Sequence, residues 1–484
     1  MGVVGSVHVR LALLWTSLVF IIFLATGSVG FIMRLSQAGI LSLDPKTWYT
    51  LITFHGQANA VIFFLAPLML SRALLSQYLD ISSRISILSS ALILLGIVGV
   101  AISILLGRMS MAWYFLYPLP FYETTSGYLT AWIISVLMIG IGILILALDS
   151  LRASIKKYGL GGSMAWGYIV GSATVEVPPI VLISTVGNIL MVISIASGAV
   201  LLTAFLLQNL GVVEAFDALG AKNLTFMFGH ILANVALVYA IACIYEAMPS
   251  YSGRPWKTTL PVALAWNIAF IAIFFAMYHH VYMDFVQPRA THVLGQVFSY
   301  VAAIPALTVT VLGVLSQVGV HRLGGRGFHM VPTFILAGTL IWVIGGAAAV
   351  IDATIPANFI FHNTVWVPAH FHTYYGYSVV VFVIAITWHL LRGMGFELTR
   401  PLWLLILALI TIGWILHISS FYIGALESIP RRYASYLALP GDLPSVGSSL
   451  AMLSALGAIT YAIGYIPLLY LTISSIYRTL RRRI

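Results

Sequence analysis

Charge is the scarcest commodity in this chain. Asp, Glu, Lys and Arg make up 7% of its 484 residues, where a soluble domain carries about a quarter. A water-facing surface cannot be built from so few charges, and the mean hydropathy of +1.03 agrees. Soluble enzymes, disordered regulators and DNA-binding domains are excluded. Cysteine is almost missing too. Cys243 is the only one, which excludes a disulfide framework, a thiolate metal cluster and a paired-cysteine copper centre within this chain. The net charge of +10 would suggest nucleic acid in a soluble domain. Here no polar surface is left to hold a duplex, so no nucleic-acid partner is expected.

Long apolar segments are what the chain has instead. A membrane-crossing helix needs about 20 apolar residues. Twelve such segments lie near 11–33, 48–72, 86–107, 128–149, 184–208, 224–247, 259–282, 293–317, 331–351, 365–391, 401–424 and 448–475. They predict an all-α integral membrane protein, a bundle of about 12 transmembrane helices in the lipid bilayer, forming one domain over residues 1–484. The first segment is too long for a cleavable signal peptide, and no small-residue cleavage site follows it. One interruption, Ser150 to Pro179, exceeds a typical loop; it is rich in glycine and holds Lys156 and Lys157.

Twelve crossings put both termini on one side, and the Lys/Arg bias decides which. Seven basic residues fall opposite the termini: Arg34, Lys46, Arg108, Lys222, Arg289, Arg431 and Arg432. The remaining 16 of the 23 fall on the terminal side, with Arg326, Arg478, Arg482 and Arg483 among them. A multi-pass cell-membrane protein with both termini cytoplasmic is expected. The acids run the other way, with Glu123, Asp284 and Asp352 among the outer ones. The +10 is therefore a topology signal.

Histidine inside a bilayer is costly and marks function by default. Six of the 13 histidines fall at one depth, in the outer part of the membrane. His55 lies near the start of the second segment, His230 near the start of the sixth, His279 and His280 near the end of the seventh, and His370 and His372 near the start of the tenth. Helix residues two apart point about 200° apart. His370 and His372 thus face opposite sides of one helix and suit two cofactors that flank it. His279 and His280, about 100° apart, could converge with His230 on one ion; three imidazoles suit copper, iron or zinc. A planar haem held by two helices needs one more histidine, and His55 is available.

These motifs resemble the catalytic subunit I of the haem–copper oxidase superfamily. Phe54-His55-Gly56 resembles that family's second helix, His279-His280 its copper pair, Ala369-His370-Phe371-His372 its shared haem-ligand motif, and Pro430-Arg431-Arg432-Tyr433 its haem-propionate segment. They occur in the family's order over nearly the whole chain. The resemblance implies that His55 and His372 are axial ligands of a low-spin haem, that His370 is the proximal ligand of a high-spin haem, and that His230, His279 and His280 hold a distal metal. Arg34 matches an arginine facing the low-spin haem, and Arg431 and Arg432 would neutralise propionates, because buried carboxylates need charged partners. His362-Asn363 matches a His-Asp pair that binds magnesium in many members. The Asn departs from that pair, and His362 stays a candidate metal ligand. Electrons would come from a second subunit that carries copper in a cupredoxin-like domain, carries a cytochrome, or offers a quinol site.

The departures point to the substrate. Most oxygen reductases of the family place a tyrosine four residues after the helix-six histidine; here the position is Asn234. One subgroup takes it from the seventh helix, at the position of Ile273. Tyr239 points to the opposite face from His230, and Tyr278 and Tyr282 flank the copper pair without replacing it. The lysine of helix eight is missing from Pro305-Ala306-Leu307-Thr308-Val309, as are the helix-six glutamate and the carboxylate gate after helix two. Thr308, Thr310 and Ser299 are left to order water. Joining two NO into N2O needs no O–O cleavage and no tyrosyl radical, and its protons can enter from outside. Nitric oxide reduction is therefore expected ahead of oxygen reduction, with Asn234 beside the bound gas. Copper rather than iron is expected at the distal site, because no glutamate stands there. A terminal oxygen reductase is the alternative, and a histidine-lined transporter a remote one.

Overall fold

The computed structural model describes residues 6–122, 124–323 and 329–481. Of the charges used above for orientation, Glu123, Arg326, Arg482 and Arg483 lie outside them. Among the described residues, 12 helices are long and apolar enough to cross a membrane. They are α1 (Val7–Gln37), α2 (Pro45–Leu75), α3 (Ser83–Leu106), α4 (Ser126–Ile169), α5 (Pro179–Asn209), α6 (Ala218–Ser252), α7 (Leu260–Val281), α8 (Arg289–Val320), α9 (Met330–Asp352), α10 (Trp366–Arg392), α11 (Arg400–Leu426) and α12 (Leu443–Arg481). Among the described residues no strand accompanies them; an isolated bridge joins Thr364 to Pro430.

Local signals set the starts of these helices. Asp44 accepts from the Thr47 backbone N–H with Pro45 at the first helical position, which pairs a side-chain cap with a residue whose missing N–H costs nothing there. Ser6, Ser82 and Asp217 cap α1, α3 and α6 in the same way. The expected interruption at 150–179 is only partly one. Helix continues to Ser163 across a kink at Gly159, whose φ of 69° suits glycine, and a short turn follows at Trp166–Ile169.

Consecutive helices pack as neighbours: α1 with α2, α3 with α4, α5 with α6, α7 with α8, and α11 with α12. Small residues allow the closest approach, as is usual in membranes. A Cβ added at Gly457 would sit 2.4 Å from the backbone nitrogen of His417, so α11 and α12 touch backbone to backbone there. At the inner end, Arg72 pairs with Asp149 at 3.0 Å with both side chains buried. It also donates to Leu146 O, Ser150 Oγ and Ser86 Oγ. This knot ties α2, α3 and α4, so two charges at the very ends of the expected segments 48–72 and 128–149 are interior.

The centre of the bundle positions the site. In α2 and α10, 78% and 83% of the most apolar stretch is buried, against 17% in α8. The two most enclosed helices are thus those that carry His55, His370 and His372. α10 changes character at the site: an α-helical turn, Trp366–Phe371, gives way to a π-helical stretch, His372–Val379, of the kind often found at functional sites. α7 ends in a 3-10 turn, Met277–Val281, that carries His279 and His280.

Candidate functional site

The three histidines expected to share an ion do converge. Ligand atoms of His230, His279 and His280 lie within 4.8 Å of one another, the one such group of His, Cys, Asp and Glu among the described residues. His230 Nδ1 is 3.2 Å from His280 Nε2. Ser299 fixes the third ring. Its hydroxyl donates to Gly295 O at 2.6 Å and so accepts from His279 Nδ1 at 2.9 Å. His279 then presents the lone pair of Nε2, the kind of outer support that orients metal-binding imidazoles. Phe226 stacks on His280 with ring centroids 4.9 Å apart.

His55 and His372 face each other from α2 and α10. Their ring centroids are 6.1 Å apart and their planes differ by 18°. Two imidazoles binding one metal at about 2 Å each need centroids roughly 6 Å apart. His55 Nδ1 donates to Thr26 O at 2.8 Å and His372 Nδ1 to Pro368 O at 2.7 Å, so both Nε2 atoms are free for an ion. Both rings line a cavity of about 600 Å³. His370 does not line it. It lies on the other face of α10, 4.8 Å from the Tyr374 ring, and interacts electrostatically with His230, His279 and His280. The two-sided division expected from the spacing holds.

Arg34, Arg431 and Arg432 line the same cavity. Arg34 donates to Gln37 Oε1 at 2.5 Å and Tyr436 OH at 3.2 Å, and its guanidinium lies 4.5 Å from the Phe421 ring centroid. Arg432 lies 4.3 Å from that of Tyr114. The Nε atoms of Arg34 and Arg431 are buried without a hydrogen-bond partner. Burial, then the neighbouring Arg432, pushes Arg431 down to about 9. His362 is pushed down to about 4 by burial and then by Arg431, Lys222 and Arg432; no second ligand of a metal group joins it among the described residues.

Asn234 sits one turn from His230. Its Nδ2 is 2.8 Å from His230 O and 3.2 Å from His230 Nε2. Tyr239 turns away and donates to Asn188 at 2.8 Å, and Tyr282 donates to Ala353 O at 3.0 Å. Of the residues expected to order water, Thr308 is exposed on the outside of the bundle and donates to its own helix. Thr310 is buried against Tyr245 at 3.2 Å, and Ser299 serves His279. Lys222 and Asp284 pair at 2.6 Å, beyond the metal-binding turn.

A family model described as cytochrome c and quinol oxidase polypeptide I matches residues 10–460. The chain belongs to this family. It is 27% identical to cytochrome c oxidase subunit 1 of Thermus thermophilus over 48% of this chain and 44% of that one. It is 27% identical to heme-copper oxidase subunit I+III of Aeropyrum pernix over 55% and 31%. With cytochrome bo(3) ubiquinol oxidase subunit 1 of Buchnera aphidicola, the identity is 24% over 95% and 69%. The matched part is thus less than half the length of the first two relatives. A cryo-EM structure of a heme-copper terminal oxidase dimer shares the fold, with a TM-score of 0.77 and 20% identity over 98% of this chain and 84% of that one.

The oxidase family implies haem and copper, and the residues fit both. Three neutral nitrogen donors suit copper. The facing His55 and His372 rings, and buried arginine nitrogens without partners, suit a flat metal complex that carries carboxylates. Sequence reasoning missed two residues beside these groups. Trp113, in the loop between α3 and α4, packs 5.7 Å from Phe371, the residue between the two α10 histidines. Left-handed Ala112, with φ of 57°, holds it there: its N–H donates to Thr53 and its carbonyl accepts from Gln57. His417 of α11 lies 5.4 Å from His372. The signal that singled out the other six histidines, a buried imidazole in the outer half of a span, applies to it as well.

Proposed function

We propose that this chain is the catalytic subunit of a membrane-bound haem–copper oxidoreductase that reduces nitric oxide to N2O. In this assignment His55 and His372 hold a low-spin haem, His370 a high-spin haem, and His230, His279 and His280 copper. When bound, these groups supply the electrons and the place where the gas is held. Two NO, two electrons and two protons give one N2O and one water. The chain's own part is to orient and to neutralise. Ser299, Thr26 and Pro368 fix the imidazole tautomers, and Arg34, Arg431 and Arg432 offset the haem carboxylates. Asn234 presents an amide beside His230, and the amide Nδ2 holds His230 O and Nε2; hydrogen-bonding a substrate oxygen would take the weaker of those two contacts. Lys222 and Asp284 offer an outer polar entry for protons.

Asn234 is the observation that carries the choice of gas. A primary amide 3.2 Å from His230 Nε2 can donate a hydrogen bond, but it cannot give up an electron and a proton as a phenol does. Oxygen reduction is the second assignment, favoured by the oxidase names of the relatives. A cupredoxin-like, cytochrome-bearing or quinol-oxidising second subunit delivers electrons in either case. The complex lies in the cell membrane with both termini cytoplasmic, and His362 stays a candidate metal ligand in its outer cap.

The test is turnover of each gas by the purified complex in vesicles. N2O formation from NO, with slow oxygen uptake, is expected. Rapid reduction of oxygen to water with negligible N2O overturns the nitric oxide assignment in favour of the second one. A purified protein without a Soret band overturns both.

A further inference from the structure

The cavity of His55 and His372 is walled mostly by helices, and residues 107–118 supply a non-helical part of the wall. This strap leaves α3, dips into the bundle and returns to α4. Trp113, Tyr114 and Phe115 line the cavity, and Met109, Met111 and Ala112 are buried beside them. Three residues of the strap hold left-handed backbone without being glycine: Arg108 at φ 45°, Ala112 at 57° and Phe115 at 35°. Residues with a Cβ avoid that region, and such strain lasts only where the surroundings impose it.

Here α2 imposes it. Arg108 Nη2 donates to Asp44 Oδ1 at 3.2 Å and to Thr47 Oγ1 at 2.9 Å, and Lys46 Nζ donates to Ser110 Oγ at 2.9 Å. Deeper in, the Thr53 hydroxyl donates to Tyr49 O at 2.7 Å and so accepts from the Ala112 N–H at 2.9 Å. Gln57 Nε2 donates to Ala112 O at 3.0 Å, and Trp132 Nε1 holds Gln57 Oε1 at 2.8 Å. The Arg108–Asp44 pair is exposed on both sides and contributes little. The buried bonds at Ala112 are the latch. Next to it, Trp113 sits between two glycines: a Cβ would lie 2.4 Å from it at Gly56 and 3.6 Å at Gly229.

Helical walls of this bundle part less easily. α11 meets α12 backbone to backbone at Gly413 and Gly457, and a Cβ at Gly96 of α3 would lie 2.6 Å from Ser135 O of α4. Separating such pairs breaks contacts along whole helices. The strap lets go when a few side-chain bonds break, and its left-handed residues then relax.

We propose that residues 107–118 are a gate for the low-spin haem, which swings off α2 to pass the haem and is held shut by the bonds of Ala112 to Thr53 and Gln57. The proposal rests on the assignment of His55 and His372 to that haem.

The test follows haem leaving and re-entering the purified complex. Excess apomyoglobin takes the haem that is released, and excess haemin then restores it. Decay and return of the reduced low-spin α band give the two rates. Thr53→Val keeps the side-chain shape and removes the acceptor of the Ala112 N–H. It should speed both exit and re-entry by about tenfold, the worth of one hydrogen bond, and leave the final band height unchanged. A merely structural role predicts faster exit without faster re-entry. Thr53→Cys with Ala112→Cys puts two thiols at the latch, and the single native cysteine, Cys243, is buried away from solvent. Oxidation of that pair should stop both rates, and a thiol reductant should restore them. Re-entry at the wild-type rate in Thr53→Val overturns the gate. So does unchanged exchange in the oxidised pair, which would place the route between α1 and α12, where exposed Gly27 and Ser28 also line the cavity. A wild-type complex without a low-spin α band overturns the parent assignment instead.

Discussion

Gly56 follows the haem-ligand candidate His55 directly, and replacing it with alanine tests how tightly the site is built. A Cβ at residue 56 would lie 2.4 Å from Trp113 Cβ and 3.4 Å from Trp113 Cα. Ordinary carbon contacts are about 3.5–4.0 Å, so Trp113 must retreat by roughly 1 Å. It cannot do so by turning its side chain, because the clash is at its Cβ. Its backbone is anchored through Ala112 to Thr53 and Gln57, and its ring packs against Phe371. Overpacking of this kind costs about 1–3 kcal/mol. Alanine regains about 0.5–1 kcal/mol over glycine within a helix. The net loss is about 1–2 kcal/mol, a factor of roughly 5–30 in an equilibrium constant. The assay is the loss of the low-spin α band from detergent-solubilised complex on gentle heating, read as the fraction of haem retained against temperature. Gly56→Ala should lose it at lower temperature than the wild type, and Trp113→Gly in the same chain, which removes the clashing Cβ, should recover part of the loss. Equal or greater retention in Gly56→Ala, as helix propensity alone would give, refutes the reasoning.

Two further outcomes test the division of labour. His280→Ala should lose copper by metal analysis and keep the low-spin α band, because His55 and His372 line a cavity that His280 does not reach; loss of both haems contradicts the assignment. Arg431→Leu should change sign with haem content: the haem-free chain gains thermal stability as an unpaired buried cation is removed, while the loaded complex loses haem faster. A parallel loss in both forms would mean that Arg431 serves the fold rather than the propionates.

The membrane made much of this site legible in the sequence. Charge and imidazole are so costly in hydrocarbon that His55, His230, His279, His280, His370 and His372 stood out by depth, and their spacing separated the His230, His279 and His280 group from the two faces of α10, as the structure arranges them. What stayed hidden depends on orientation. Lipid is as apolar as the core, so nothing in Pro305 to Val309 could say that Thr308 points out while Thr310 points in. Arg72 and Asp149, 77 positions apart in sequence, close the segments 48–72 and 128–149, and only the packing shows that they are an interior pair. Ser299 could be noticed as polar but not as the support of His279, because that contact depends on how α7 and α8 meet.

The scarcity of charge has a consequence for assembly. Arg34, Arg431 and Arg432 crowd one cavity, and none of them has an acid within 4 Å among the described residues. Two leave a buried Nε without a partner, and burial with Arg432 holds Arg431 down to about 9. A bundle that spends so few charges elsewhere has concentrated positive charge where it costs most. Removing one partner of a buried ion pair costs about 3–5 kcal/mol, so guanidiniums this enclosed call for an anionic partner. A dianionic complex carrying two carboxylates is such a partner. In the proposed assignment that complex is the haem, whose insertion would complete the charge balance of the bundle as well as its redox chain.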